Sequence, residues 1–258
     1  MLADAPKTTP SLRNQVSEAE WQVRVDLAAC YRLVARQGWD DLIYTHISAR
    51  VPGEDGHFLI NPFGLHFDEI TASSLVKIDH EGRKVMESPY PVNPAGFIVH
   101  YAVHKARHDA ACVLHMHTPA GVGVAAQKHG LLPITQNALL FHDDIAYHDY
   151  EGLAVAPGEV DRLGADLGDK SAMILRNHGT LVVGRTVAQA YVLAFFLERA
   201  CQMQVAALSA GLENIHLPPA EVREIVRRQA EMAFQAAGRS EWPGLIRRLD
   251  REDPGYKD

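Results

Sequence analysis

Cysteine, positive charge and long apolar runs are all in short supply in this 258-residue chain. Its three cysteines, Cys30, Cys112 and Cys201, are an odd number in apolar surroundings. That argues against a disulfide framework and for buried thiols in a reducing, cytoplasmic compartment. Lysine and arginine number 25 against 32 acidic residues, a formal net charge of −7. No broad cationic surface for phosphate backbones follows, so nucleic acid is not expected as a partner. The longest plainly apolar run, Ala190 to Leu197, stops at Glu198, far short of the roughly 20 residues that span a bilayer. A transmembrane helix is excluded, and no membrane partner is expected. No fixed-period repeat is present, which excludes a solenoid or propeller. Residues 1–16 are polar and lack an apolar segment, so they read as a flexible N-terminal arm and not as a secretory signal.

Against these absences stand a 47% apolar content, ample for a core, and 14 histidines, about one residue in eighteen. Ser17 and Glu20 have capping-box spacing ahead of a helical pattern through Val23, Leu27, Cys30 and Val34 that ends at Gly38. Alternation from Ile43 to Arg50, a Pro52-Gly53 and Asp55-Gly56 turn region and Phe58-Leu59-Ile60 predict a β-hairpin. A helix is expected from Asn93-Pro94 to about Arg107, then a central strand over Ala111–His117. Thr118-Pro119 opens another helix that closes at Gly130, with Gly121 and Gly123 read as sites of close packing. Ala172–Leu175 is a buried strand broken at Asn177-His178-Gly179, and Leu181–Val183 continues the sheet. Thr186 and Gln189 cap a long helix ending near Gly211, and a last helix runs from Pro218-Pro219 to Gly238. This pattern predicts an α/β or α+β layered domain over residues 17–240. The amphipathic 241–258 segment is a tail expected to pack on a neighbouring subunit.

Three histidines stand out chemically. His115 and His117 at i and i+2 point to one face of a strand, and His178 follows another apolar strand on a glycine-containing turn. Three neutral imidazoles hold a divalent ion and leave positions open for water or substrate. Spacing alone is equally compatible with hydrogen-bonded core histidines. His100, His104 and His108 share a helical face but lack the His-Glu-x-x-His pattern. They are read as ordinary helix-face residues, His100 excepted for its apolar neighbours. His142, Asp143, Asp144, Tyr147 and His148 could supply acids or bases, though loop acidity explains them as well.

The segments Tyr44–Arg50, Phe58–Gly64, Asn93–Phe97, Val113–Thr118 and Leu175–Gly179, in this order and spacing, resemble the class II aldolase/adducin family. The resemblance covers about Ser17 to Ala210. It implies a three-layer αβα domain with a mainly antiparallel central sheet, usually a homotetramer with its active site at a subunit interface. It also implies that His115, His117 and His178 bind a divalent metal ion, zinc first, with manganese or iron(II) as alternatives. The departures are informative. Where the family's sugar-phosphate aldolases carry a catalytic glutamate, Pro94-Ala95-Gly96 stands here. The aldolases' phosphate contacts are replaced by His46, Phe63 and the Pro94-Ala95 pair, and a tyrosine they offer aligns with Asn137 beside Gln136. A buried dianionic phosphate without donors is very costly, so a phosphorylated sugar is a poor fit.

The resemblance thus implies a metal-dependent lyase that cleaves a carbon–carbon bond, by aldol cleavage or decarboxylation, in a non-phosphorylated carbonyl or hydroxy-acid compound. Phe63, Gly64, Gly96, Gln136 and Asn137 would contact this small-molecule substrate. Proton carriers in place of the glutamate would be His46 first, then Tyr147 or His148. A non-haem iron-type oxygenase acting on an aromatic compound is one alternative. The NPAGF, LLPITQNAL and DYEG stretches look more like adducin heads than like the aldolases, so a non-catalytic interaction module is the other.

Overall fold

A computed structural model describes residues 9–152 and 158–258. Residues 1–8 of the expected arm, and the side chains of Pro94 and Ala95, lie outside the described set. Thr9 and Leu12 are tied to the domain, through the Tyr90 hydroxyl at 2.7 Å and Ser73 Oγ at 3.1 Å.

The chain opens with helix α1 (Glu18–Arg36), capped by Ser17 Oγ accepting from the Glu20 amide at 3.1 Å. Strands β1 (His46–Arg50) and β2 (Phe58–Ile60) form the expected hairpin, with Ala49 opposite Leu59. Strand β3 (Val76–Ile78) adds to β2. Helix α2 (Pro94–Ala106) leads into β4 (Cys112–Met116), then α3 (Pro119–Ala125) and α4 (Gln136–Leu140). Strand β5 (Ile145–His148), helix α5 (Glu159–Leu167), β6 (Ala172–Leu175) and β7 (Gly179–Gly184) complete the sheet. Helices α6 (Val187–Leu208), α7 (Ala220–Ala236) and α8 (Glu241–Glu252) follow. The strand order is β3-β2-β1-β4-β7-β6-β5. Every described pairing is antiparallel except β5 with β6, which α5 joins. No described helix is long and apolar enough to cross a membrane.

Period-2 alternation divides the sheet's two faces between helical layers. Ile47, Leu114, Ile174 and Val182 pack against α1, α3, α6 and α8 in the larger core. Val113, Met173, Leu181 and Val183 pack against α2 and α5 on the other face. The three cysteines are free and buried, on α1, β4 and α6, all in the larger core. A buried ion cluster closes one end of the sheet: Glu20 accepts from Arg24 and from Lys77 of β3, both at 2.9 Å. Arg24 also donates to the carbonyls of Ala72 and Leu75.

Three expectations need correction. The 241–258 segment does not stand apart from the domain. Its helix α8 buries Trp242 and Leu249 in this chain's own core, and Tyr256 is fully buried beside them. The Ala72 and Ser73 amides donate to the main-chain oxygens of Tyr256 and Asp258. An amphipathic stripe reads the same from sequence whichever surface covers it. Second, α3 stops at Ala125, and only Gly121 is tightly packed: a Cβ there would lie 2.7 Å from Thr118 Oγ1, whereas at Gly123 the nearest atom is 3.6 Å away. Third, His104 is not a solvated helix-face residue. It is 2% exposed, bonded to Ser48 Oγ at 2.8 Å and to the Ala110 carbonyl at 3.1 Å. His108, beyond the end of α2, is exposed as expected.

Candidate metal centre

Strand alternation aims His115 at the α2 face while Leu114 and Met116 enter the larger core. His117 follows one residue past the end of β4. His178 is brought across by the β6–β7 turn. Asn177 takes the left-handed conformation at φ +56°, and Gly179 lets β7 start against β4. A Cβ on Gly179 would lie 2.3 Å from the Met116 carbonyl oxygen, so no other residue fits there unchanged. The three rings converge, with centroids 4.7–4.8 Å apart. One ligand nitrogen from each lies within 4.8 Å of the others.

Hydrogen bonds at the outer nitrogens set the polarity of the cluster. His115 Nδ1 donates to the Thr180 carbonyl at 2.9 Å, and His117 Nδ1 donates to Asp41 Oδ2 at 3.0 Å. In the neutral state each Nε2 therefore carries a lone pair, and these two atoms stand 2.9 Å apart. Two facing acceptors repel unless a cation lies between or beside them, so the donor set fits a divalent ion bound by imidazoles. Burial, reinforced by the neighbouring rings, holds His115 well below the ordinary histidine range and lowers His178 to about 4. Neutral imidazole is the form that ligates a metal.

Asp41 carried no motif, and its role emerges only from the fold. It opens a tight loop in which the Tyr44 amide donates to the Asp41 carbonyl at 2.8 Å. Leu42 and Thr45 sit at φ +55° and +64°. A β-branched residue in that region is strained, and Thr45, 2% exposed with its Oγ1 unpartnered, immediately precedes His46.

His46 lies directly across from His115 in the β1–β4 register, on the same face. It is 5% exposed, and burial followed by His117 lowers its pKa to about 4. Asn93 Nδ2 approaches its Nε2 at 3.4 Å. His148 lies at the same end of the sheet. Its Nδ1 donates to Asp166 Oδ2 at 2.7 Å, and its buried Nε2 has no hydrogen-bond partner. A water-sized cavity of about 10 Å³ is lined by His148 and His178. Tyr147 points to the opposite face. Its hydroxyl accepts from the Leu131 amide at 3.2 Å and Arg176 covers its ring, so the fold does not bring it to the histidines. A separate cavity of about 820 Å³ opens at the far end of β4 and β7 beside Arg185 and Phe234, and none of the three histidines lines it.

Comparison with known proteins places this arrangement. The profile of the Class II Aldolase and Adducin N-terminal domain matches residues 25–205, a span that contains all three histidines. The chain belongs to the class II aldolase/adducin family. A Caulobacter vibrioides protein, provisionally named an aldolase class 2 protein, is 56% identical over 257 residues and all of both chains. Mouse alpha-adducin is 43% identical over 93% of this chain, which spans only 34% of that longer protein. The solved L-fuculose 1-phosphate aldolase from Glaciozyma antarctica superposes with a TM-score of 0.80 at 27% identity, covering 98% of this chain and 97% of its own. The αβα class II aldolase fold is thus established.

Within this class II aldolase/adducin domain, the remaining candidate residues fall in two groups. Phe63 and Gly64 follow β2 at the His46 end of the sheet, where the Phe63 ring lies 6.4 Å from that of Tyr44. Gln136 and Asn137 open α4, which packs on α6 and α7. Among the described residues they make no hydrogen bond or ring contact with the three histidines.

Proposed function

We propose that the chain is a metal-dependent lyase that cleaves a carbon–carbon bond, by aldol cleavage or decarboxylation, in a non-phosphorylated carbonyl or hydroxy-acid compound. The observation that carries this reading is the inward-facing Nε2 pair of His115 and His117, fixed from behind by Thr180 and Asp41 and joined by His178. Zinc is the first candidate, with manganese or iron(II) as alternatives. A divalent ion held there would supply Lewis acidity toward a substrate oxygen.

The chain's own groups account for the rest of the chemistry. His46, across from His115, is the first candidate to move a proton at the substrate. His148 is the second, held in one tautomer by Asp166. Tyr147 drops out of this role because its ring packs on the other face. Phe63 with Tyr44 supplies an apolar wall at the mouth, which favours a ligand without a phosphate group. Gln136 and Asn137, at the start of α4, are assigned to the substrate site of a neighbouring subunit in a homotetramer whose sites lie at interfaces. The three free, buried thiols support a cytoplasmic enzyme.

The 43% identity to alpha-adducin favours one rival, an interaction module without catalysis. Metal analysis and ligand binding separate the two. The lyase reading expects one ion per chain, its loss in His115→Ala, and metal-dependent release of a carbonyl product or carbon dioxide from a panel of hydroxy and keto acids. A chain that binds no ion stoichiometrically, or retains full activity in His115→Ala, overturns it.

A further inference from the structure

Gly96 is the third residue of α2, and its missing side chain has a definite destination. A Cβ built there would lie 1.9 Å from Cε1, 2.3 Å from Nε2 and 2.4 Å from Nδ1 of His46. Any side chain on residue 96 would therefore enter the volume now filled by the His46 imidazole. His46 in turn stands opposite His115, where cross-strand Cβ atoms are about 4.5–5.5 Å apart. One pocket of space beside the three-histidine centre can thus be filled from α2 or from β1, but not from both.

We propose that residues 46 and 96 form one such slot, that His46 fills it in this chain, and that the centre thereby selects an anionic, oxygen-chelating ligand: a carboxylate with an adjacent hydroxyl or carbonyl. An acid entering from α2 would place a negative charge against the ion and repel such a ligand. An imidazole entering from β1 adds none. The flank of His46 is an amide, Asn93, and its other ring neighbour is His100, with centroids 6.0 Å apart. Seen this way, the glycine and the histidine are one substitution, and neither residue is interpretable alone. The ligand half of the proposal rests on the metal reading above; the slot half does not.

The two halves are tested separately. Without metal or ligand, Gly96→Ala is expected to lower the melting temperature by about 4–8 °C, because the methyl group collides with the ring. In a His46→Ala background the same change is expected to cost nothing, since alanine is the better helix former once space is free. Equal effects of Gly96→Ala in both backgrounds overturn the slot. Should Gly96→Ala alone fail to fold, folding of the double variant is the same result, and failure of both overturns it.

For the ligand, oxalate is titrated calorimetrically into zinc-loaded His46→Ala/Gly96→Glu and into its uncharged counterpart His46→Ala/Gly96→Gln. Oxalate is expected to bind the glutamate variant about ten- to a hundredfold more weakly at low salt. Equal affinities, or no oxalate binding by zinc-loaded wild type, overturn the ligand class. Failure of wild type to take up zinc removes the metal reading and the ligand class with it, while the slot still stands or falls on the melting data.

Discussion

Asp41 offers the sharpest test of how the centre is built, because it acts on the cluster only through His117. Its carboxylate accepts from His117 Nδ1 at 3.0 Å, which fixes the ring and keeps the Nε2 lone pair pointed inward. Losing such an outer hydrogen bond typically weakens metal binding 10- to 100-fold. The Asp41 side chain is 49% exposed, so water screens its charge and partly replaces it. We therefore expect the lower end for Asp41→Asn, about tenfold or 1.4 kcal/mol. The asparagine oxygen can still accept the bond without its charge. Asp41→Ala removes the acceptor as well and is expected to lose more. Competition for zinc against a chromophoric chelator at fixed pH measures both. The melting temperature of the metal-free variants should stay within about 2 °C of wild type, because an exposed loop position contributes little to stability. Wild-type affinity in both variants would refute the reasoning, since His117 would then need no orientation from behind. So would equal losses in affinity and stability, which would mean that the loop had merely unfolded.

Three further outcomes follow from the geometry. Gly179→Ala places a methyl group 2.3 Å from the Met116 carbonyl oxygen and 3.1–3.3 Å from the His117 and His115 rings; zinc uptake should be lost along with about 2–4 kcal/mol in urea unfolding, and near-wild-type stability with full zinc binding would contradict it. Glu20→Gln strands Arg24 and Lys77 without their shared buried carboxylate, an expected loss of about 3–5 kcal/mol, and a loss below 1 kcal/mol would show that water relieves the two cations. Burial lowers His104 to about 3 in the folded chain, so between that value and about 6.5 the unfolded state binds the extra proton and stability falls as pH drops. The slope reaches about 1.4 kcal/mol per pH unit for each such histidine, and His104→Gln should flatten it in metal-free protein. Identical pH dependence in wild type and variant would contradict this.

Local sequence signals located much of this fold. The Ser17 cap, the hairpin, the α2 start, β4 and its continuation on β6–β7 were legible because caps, turns and alternation are written in adjacent residues. Strand β3 carried no such signal. Lys77 looks solvent-directed in sequence but is buried, held by Glu20 and Glu54 from two other segments. The Ile145–His148 stretch, read among loop acids and bases, is the parallel edge strand β5, too short to declare its period. Three histidines could be picked out by spacing, yet what orients them could not. Asp41 lies 76 residues from His117 in sequence, and Thr180 offers only a backbone carbonyl. The exclusion between Gly96 and His46 is likewise a property of helix against strand, invisible in either segment alone.

The three shielded thiols turn the larger core into its own clock. Cys30, Cys112 and Cys201 are all 0% exposed on three different elements, and burial pushes each thiol well above its ordinary pKa. Neither access nor thiolate is present in the closed state, so an alkylating reagent reacts only when the element carrying the cysteine opens. The order in which the first helix, the central strand and the long sixth helix become labelled would rank their opening free energies without any engineered probe.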